Sequence, residues 1–451
     1  MINIIINIFI VIAMGCVCLI SRRIQKTWFA PGSFFALIWF IHMAFTVVFA
    51  SDYYLYFNSN FIILFYVFIV ILGSTIGMRL KIRRTSINTV NLNSINKLMK
   101  LSLVVSIVGF LSFPAILYST GGSFSTLLNL DAIMNLARQN SISRYSGDLQ
   151  NSTLTSILLS INYFAAIVNG VSIVVEKNAS KGKYNKRLML HLLPIITSIL
   201  IAAILTTKAT ILYTVILFLG GIITANESLN DRNYLFTRKN IFRGIILIPT
   251  IIFLFVFIQM SRYGFNDIDG MFRVIKVFKV WAFGHMPAFS VWFNDYYLNG
   301  DYSLSYGQYT FSGVFSILNI AERVSGVYSE GAYISNNYEA TNIFTIFRGL
   351  IEDFGLIGSM LLSFVGSIFL GTIYKSVKLG KLNSFVFLIM FYSFSMFGFV
   401  ISILAYNSIL LAFILFYILT TIFTFPSKVS KVANENKKTM NNYLSSEEVL
   451  R

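Results

Sequence analysis

The chain has 451 residues, of which 56% are hydrophobic and 12% charged, and a mean hydropathy of +0.73. That composition excludes an ordinary soluble domain and calls for an integral membrane protein. The net charge of +17 invites nucleic acid as a partner, but the placement of the charges gives a different account of it, and no nucleic-acid partner is expected.

Apolar runs near the ~20 residues that cross a bilayer fall at 2–20, 28–50, 60–78, 101–118, 153–175, 188–206, 209–225, 244–260, 355–374, 383–403 and 408–425. An all-α polytopic membrane protein with about eleven transmembrane helices is expected. If the segment after the first run is cytoplasmic, and every second one after it, that side holds 26 of the 35 Lys and Arg. Basic residues gather on the cytoplasmic side of membrane proteins, so the N-terminus is expected outside and the C-terminus inside. Met1–Phe9 has no basic stretch ahead of the first apolar run, and a cleaved signal is not expected. Cys16 and Cys18 are the only cysteines. They lie two residues apart on different helix faces, so neither a disulfide nor a cysteine metal site is expected.

The expected layout is eight helices over 1–260 with an outer loop at 119–152, a large extracytoplasmic loop with an interfacial helix at 261–348, three helices over 349–425, and a polar cytoplasmic tail at 426–451. The first three spans carry little chemistry. His42 and His191 read first as hydrogen-bonded structure. In the first sizeable outer loop a short interfacial helix is expected from near Asn129, with Arg138 and Arg144 as the basic groups. A guanidinium fork suits an anionic substrate, and it equally suits lipid headgroups or a pair with Asp131 or Asp148. Lys208, in the tight Thr206–Thr210 turn, either snorkels to the interface or reaches the same outer cavity.

The large loop opens with Arg262 and passes Asp267-x-Asp269, a carboxylate spacing that is common by chance. It then enters Met271–Phe283, where Arg273, Lys276 and Lys279 fall at three-residue steps. This reads as a helix lying in the interface with its cations at phosphate depth, anchoring to headgroups, recruiting a lipid pyrophosphate, or both. His285 follows in GHMPAFSVW, and imidazole is the commonest general base near neutral pH. From 294 to 340 the loop is rich in Tyr, Ser, Asn and Gly, which suits sugars and is also what polar loops look like.

The stretch Thr341–Gly358, TNIFTIFRGLIEDFGLIG, organises the rest. On a helix from about Phe347, Arg348, Glu352 and Gly355 share one stripe and Asp353 points elsewhere. Charges at the lip of a membrane helix must face protein, water or a polar ligand. The stretch, with FGHMPAFSVW upstream and the TTKAT turn, resembles the Wzy-type polymerases of O-antigen and capsular repeat units. The resemblance implies a metal-independent, cofactor-free glycosyltransferase of GT-C-like architecture in the bacterial inner membrane, with its active site on the extracytoplasmic face. Its substrates would be undecaprenyl-pyrophosphate-linked glycans. Membrane lipids and the flippase and chain-length regulator of the same pathway would be its partners. It would move the growing glycan onto the non-reducing end of a new lipid-linked repeat unit.

By position the resemblance matches Arg262 and Arg348 to the family's outer-loop arginines, with Arg138 and Arg144 beside them. Lys208 stands where many relatives would carry arginine. Loss of the pyrophosphate needs positive charge in a poorly solvated place, and the acceptor hydroxyl needs a base. Asp353, Glu352 and His285 are the candidates for that base. A structural Arg348–Glu352 ion pair is the competing reading. A polysaccharide ligase, a lipid-linked oligosaccharide flippase and a non-enzymatic scaffold remain as alternative functions.

Overall fold

The computed structural model describes residues 2–82, 92–146, 152–179, 186–229, 253, 256, 268–300, 303–320, 328 and 330–424. Its elements are α1 (Ile2–Gln25), α2 (Pro31–Phe49), α3 (Phe57–Arg79), α4 (Leu92–Phe110), α5 (Ser112–Ser119), α6 (Leu130–Tyr145), α7 (Thr153–Ala179), α8 (Leu193–Leu205) and α9 (Lys208–Leu229). After these come α10 (Ile268–Phe283), α11 (His285–Asn299), α12 (Ser312–Ile317), a two-residue antiparallel pair β1 (Ala332–Tyr333) and β2 (Ala340–Thr341), then α13 (Ile346–Lys378), α14 (Phe385–Phe397) and α15 (Asn407–Thr424).

The fold is that of an all-α polytopic membrane protein. Among the described residues seven helical segments are long and apolar enough to cross a membrane, from Ile5–Gln25 to Ile346–Lys378. Three more apolar helices, Met189–Leu205, Leu382–Phe397 and Asn407–Ile422, are shorter. At 1.5 Å per residue the 13 residues of α8 rise about 20 Å, short of a ~30 Å hydrocarbon core. Pro194 sits in its first turn, and it ends at Thr206, whose φ of 51° is left-handed. The run expected at 244–260 lies outside the described residues except for 253 and 256, as does the tail from 425.

Close helix packing follows from small residues. α3 and α13 cross along Gly73, Ser74 and Gly77 against Ser367 and Gly371. A Cβ on Gly77 would stand 2.0 Å from the Ile368 carbonyl, and one on Gly371 2.2 Å from that of Ser74. Only glycine lets two backbones approach so closely, which is how helices associate where lipid offers no hydrophobic drive. One end of this pair is tied by Glu227 of α9, which accepts from the Tyr374 hydroxyl and lies 3.2 Å from Lys378 Nζ. We call this the basic end, and the opposite end, where α10–α12 and the hairpin lie, the loop end.

The main core runs through α1–α3, α7, α9, α11 and α13–α15. A second cluster, with Phe113, Ile116, Leu136, Ile201 and Leu205, joins α5, α6 and α8. The helix expected from Asn129 begins at Leu130, and the Asn129 side chain caps it by accepting from the Asp131 and Ala132 amides. The helix expected over Met271–Phe283 is α10. It docks on the end of α2, where Phe283 stacks on Phe49 at 5.5 Å.

Candidate functional site

α13 is not one straight rod. Gly355 has φ 69° and ψ 171°, a conformation essentially reserved for glycine, so the helix breaks nine residues after it starts. A break frees the carbonyls of the preceding turn, and the Ser305–Thr310 segment takes them. Ser305 N donates to Glu352 O (3.1 Å) and Tyr306 N to Asp353 O (3.0 Å). The Asp353 carboxylate, 0% exposed, completes the joint by accepting from Ser305 Oγ (2.7 Å), Tyr309 N (3.0 Å) and Thr310 N (2.6 Å). Both of its oxygens are engaged in fastening loop to helix. Of the three base candidates, Asp353 therefore has an anchoring role.

The segment ahead of the break carries Arg348. Phe347 roots it in an aromatic floor, with Trp39, Tyr66 and Phe289 at 4.6, 4.9 and 6.0 Å between ring centroids. Arg348, 7% exposed, points into a cage of rings: its guanidinium carbon lies 3.8 Å from the centre of Tyr328, 4.1 Å from Phe344 and 5.4 Å from Trp292. Aromatic faces attract a cation and strip it of water without neutralising it. Its Nε donates to Glu352 Oε1 at 2.9 Å, one turn along the same stripe. The structural ion pair is thus present, and among the described residues Glu352 is the carboxylate that meets the guanidinium.

The pair leaves capacity to spare. Among the described residues the Glu352 carboxylate takes up the Tyr328 hydroxyl as well as Arg348, and Oγ1 of Thr310 and Thr345 are buried with no hydrogen-bond partner. Glu352, Tyr328 and Thr310 share one neighbourhood: a Cβ on Gly349 would lie 3.3 Å from the Tyr328 hydroxyl that meets Glu352 and 4.0 Å from Thr310 Oγ1. Burial and the nearby Glu352 charge push the Tyr328 phenol well above its usual range, against the pull of Arg348. It stays a donor at any physiological pH. Unsatisfied buried polar groups are costly, and a polar ligand entering beside Arg348 would satisfy them.

The other candidates lie elsewhere. His285, 1% exposed, is buried with the Ala282 backbone as a polar neighbour; it meets His42 edge-on at 4.8 Å and Phe399 at 5.4 Å. Burial, reinforced by His42, holds its imidazole well below the usual range, so it is neutral. It sits two turns before Trp292 on α11, about 10 Å along the axis, and its ring neighbours, His42 and Phe399, are not members of the Arg348 cage. Arg144 caps α8, donating Nη1 to Leu205 O at 3.0 Å, and Asn140 donates to Ile204 O beside it. Arg138, on the same helix, is exposed. Lys208 lies 5.7 Å from the Trp281 ring and is grouped with the His285 cluster through Phe399. Lys276 pairs with Glu339 at 3.6 Å, and Lys279 with Asp52 at 2.7 Å. Arg262 and the Arg273 side chain lie outside what is described. His191, in contrast, is built into structure: its ring bonds Asn169 Oδ1 (2.7 Å) and Glu176 Oε2 (2.9 Å).

No family model, curated protein or solved structure matches the chain. The site is therefore judged on its own geometry. The cage was missed in the sequence: Tyr328 stands alone there, and Trp292 and Phe344 lie in GHMPAFSVW and TNIFTIFRGLIEDFGLIG with no role assigned to them. The available signal was Phe344, four residues before Arg348, since an arginine this deep needs rings or carboxylates around it. Among the described residues no three His, Cys, Asp or Glu side chains form a metal-ligating group.

Proposed function

We propose that the chain polymerises lipid-pyrophosphate-linked oligosaccharide repeat units, O-antigen or capsular, transferring the growing glycan onto the non-reducing end of a new lipid-linked unit. The reading includes eleven spans in a GT-C-like arrangement, the bacterial inner membrane, and the loop end on the extracytoplasmic face. The observation that carries it is the cage: a desolvated Arg348 with a carboxylate one turn away and unsatisfied hydroxyls around it. In the reaction the acceptor hydroxyl oxygen bonds to the anomeric carbon as the bond to the lipid pyrophosphate breaks. The electron pair leaves with the pyrophosphate, whose added charge the guanidinium stabilises in a low-dielectric place. The acceptor's proton passes to Glu352, the one base candidate within reach of Arg348. The Tyr328 hydroxyl donates to the leaving oxygens.

Deleting the gene in its host and sizing the glycan on lipid carriers and at the surface tests this. Single repeat units should accumulate and the long ladder vanish. Complementation with Arg348→Ala should restore the protein but no polymer, and Arg348→Lys, which loses the planar stack and fork, should restore a small fraction. Long lipid-linked polymer that never reaches a final acceptor would instead indicate a ligase, and repeat units trapped inside a flippase.

A further inference from the structure

The loop end holds a second built surface, formed by elements other than those of the Arg348 cage. The α2–α3 loop and the hairpin β1–β2 are fastened together: Tyr54 N donates to Ile334 O at 2.8 Å, the Tyr54 hydroxyl to Asn336 Oδ1, and Ser335 Oγ to Glu339 Oε2 at 2.9 Å. Ile334, 0% exposed, nails the hairpin to the core. From this rigid mount Tyr333 and Tyr338 project, 62% and 83% exposed, edge to face at 6.1 Å. Tyr338 holds a left-handed φ of 55° to do so, unusual for a bulky residue.

The α2–α3 loop also lines a cavity of about 130 Å³, with Asn7, Val47, Ser51, Tyr53, Leu55 and Tyr56 around it, and Tyr54 joins this cavity to the hairpin. Tyr53 is 4% exposed and its hydroxyl has no partner among the described residues. The neighbouring charges already cancel in the Lys279–Asp52 and Lys276–Glu339 pairs, so the surface offers ring faces, amides and a phenol rather than net charge. A fluid lipid surface needs no fixed backbone conformation. A ring of defined stereochemistry does.

We propose that the α2–α3 loop and the hairpin form a second carbohydrate subsite, which holds neutral sugar rings of the glycan against Tyr333 and Tyr338 and turns a hydroxyl to the Tyr53 phenol. The choice of glycan rests on the polymerase reading. The subsite grips the chain at a distance from the reacting bond and sets how many units are added before release.

The test uses the full chain in lipid nanodiscs and, as probe, the host's own repeat-unit oligosaccharide, freed from its carrier by mild acid. Saturation-transfer NMR should show binding to wild type and to Arg348→Ala. It should be lost in Tyr333→Ser/Tyr338→Asn, asparagine being chosen because it tolerates left-handed backbone, and weakened in Tyr53→Phe. In cells the double variant should shorten the modal ladder at least twofold. No transfer to wild type, as a membrane anchor would give, or undiminished transfer in the double variant, overturns the subsite. Should deletion of the gene leave glycan size unchanged, the polymerase reading falls, while the NMR result still decides the subsite.

Discussion

Arg348 and Asp353 lie five positions apart on one helix, yet their surroundings assign them opposite tasks. Arg348 is stacked among rings and meets one carboxylate, Glu352, through its Nε alone, whereas Asp353 has donors on both oxygens. Asp353→Asn should therefore cost stability, since an amide nitrogen would face a backbone N–H at Tyr309 or Thr310; the lost bond is worth roughly 1–3 kcal/mol. Thermal unfolding in detergent should drop while the folded fraction still makes polymer. Loss of polymer at an unchanged melting temperature would return Asp353 to the chemistry. His285 yields a pH prediction. Its folded-state pKa is depressed from 6.5 by burial, so below pH 6.5 the unfolded chain takes a proton that the folded one refuses, and stability falls with acidification by at most about 1.4 kcal/mol per unit. His285→Phe should lessen the fall in melting temperature between pH 6.5 and 5, and an unchanged slope would count against it. The sequence made Arg348 and Glu352 legible through their spacing. It did not reveal that Asp353 was spoken for, because its donors come from residues 305–310, more than forty positions away.

At the scale of elements, the break in α13 matters most. A helical stripe through Arg348, Glu352 and Gly355 could be read from the 3.6-residue period, and it holds for the first two. At Gly355 the period ends, and a glycine inside an apolar run is a weak sign of such a break. Straightening the helix would let its own amides reclaim the carbonyls of Glu352 and Asp353 and evict the Ser305–Thr310 segment. Gly355→Ala forces an L-residue into a conformation that costs about 1–3 kcal/mol. We expect a lower melting temperature together with shorter or absent polymer; wild-type values for both would leave the kink without a role. The short helices α8 and α14 were less legible, because the run 188–206 reads on through the 3-10 turn Lys186–Leu192 ahead of α8, and the run 383–403 continues through the turn at Gly398 that ends α14.

For the molecule as a whole, composition alone gave the class, since hydropathy is an average that needs no contacts. The distribution of basic residues likewise gives a definite orientation to test. With Cys16 and Cys18 replaced, Leu298→Cys at the loop end, where Leu298 is 71% exposed, should react in intact cells with a membrane-impermeant maleimide. Lys381→Cys should react only after permeabilisation. The opposite pattern would place the caged arginine on the cytoplasmic side and remove the proposed polymerase. The cage itself was not legible, because Trp292, Tyr328, Phe344 and Arg348 meet only after α11, an extended loop and α13 have packed.

The glycine crossing of α3 and α13 also sets a timetable. Gly77 and Gly371 are separated by about 290 residues, which a ribosome moving at about 5–20 residues per second needs roughly 15–60 s to add. Throughout that interval α3 waits in the bilayer with its narrow small-residue face unclaimed, held by lipid or by the insertion machinery. Until almost the last of its helices arrives, the nascent chain lacks both this crossing and the helix that carries Arg348.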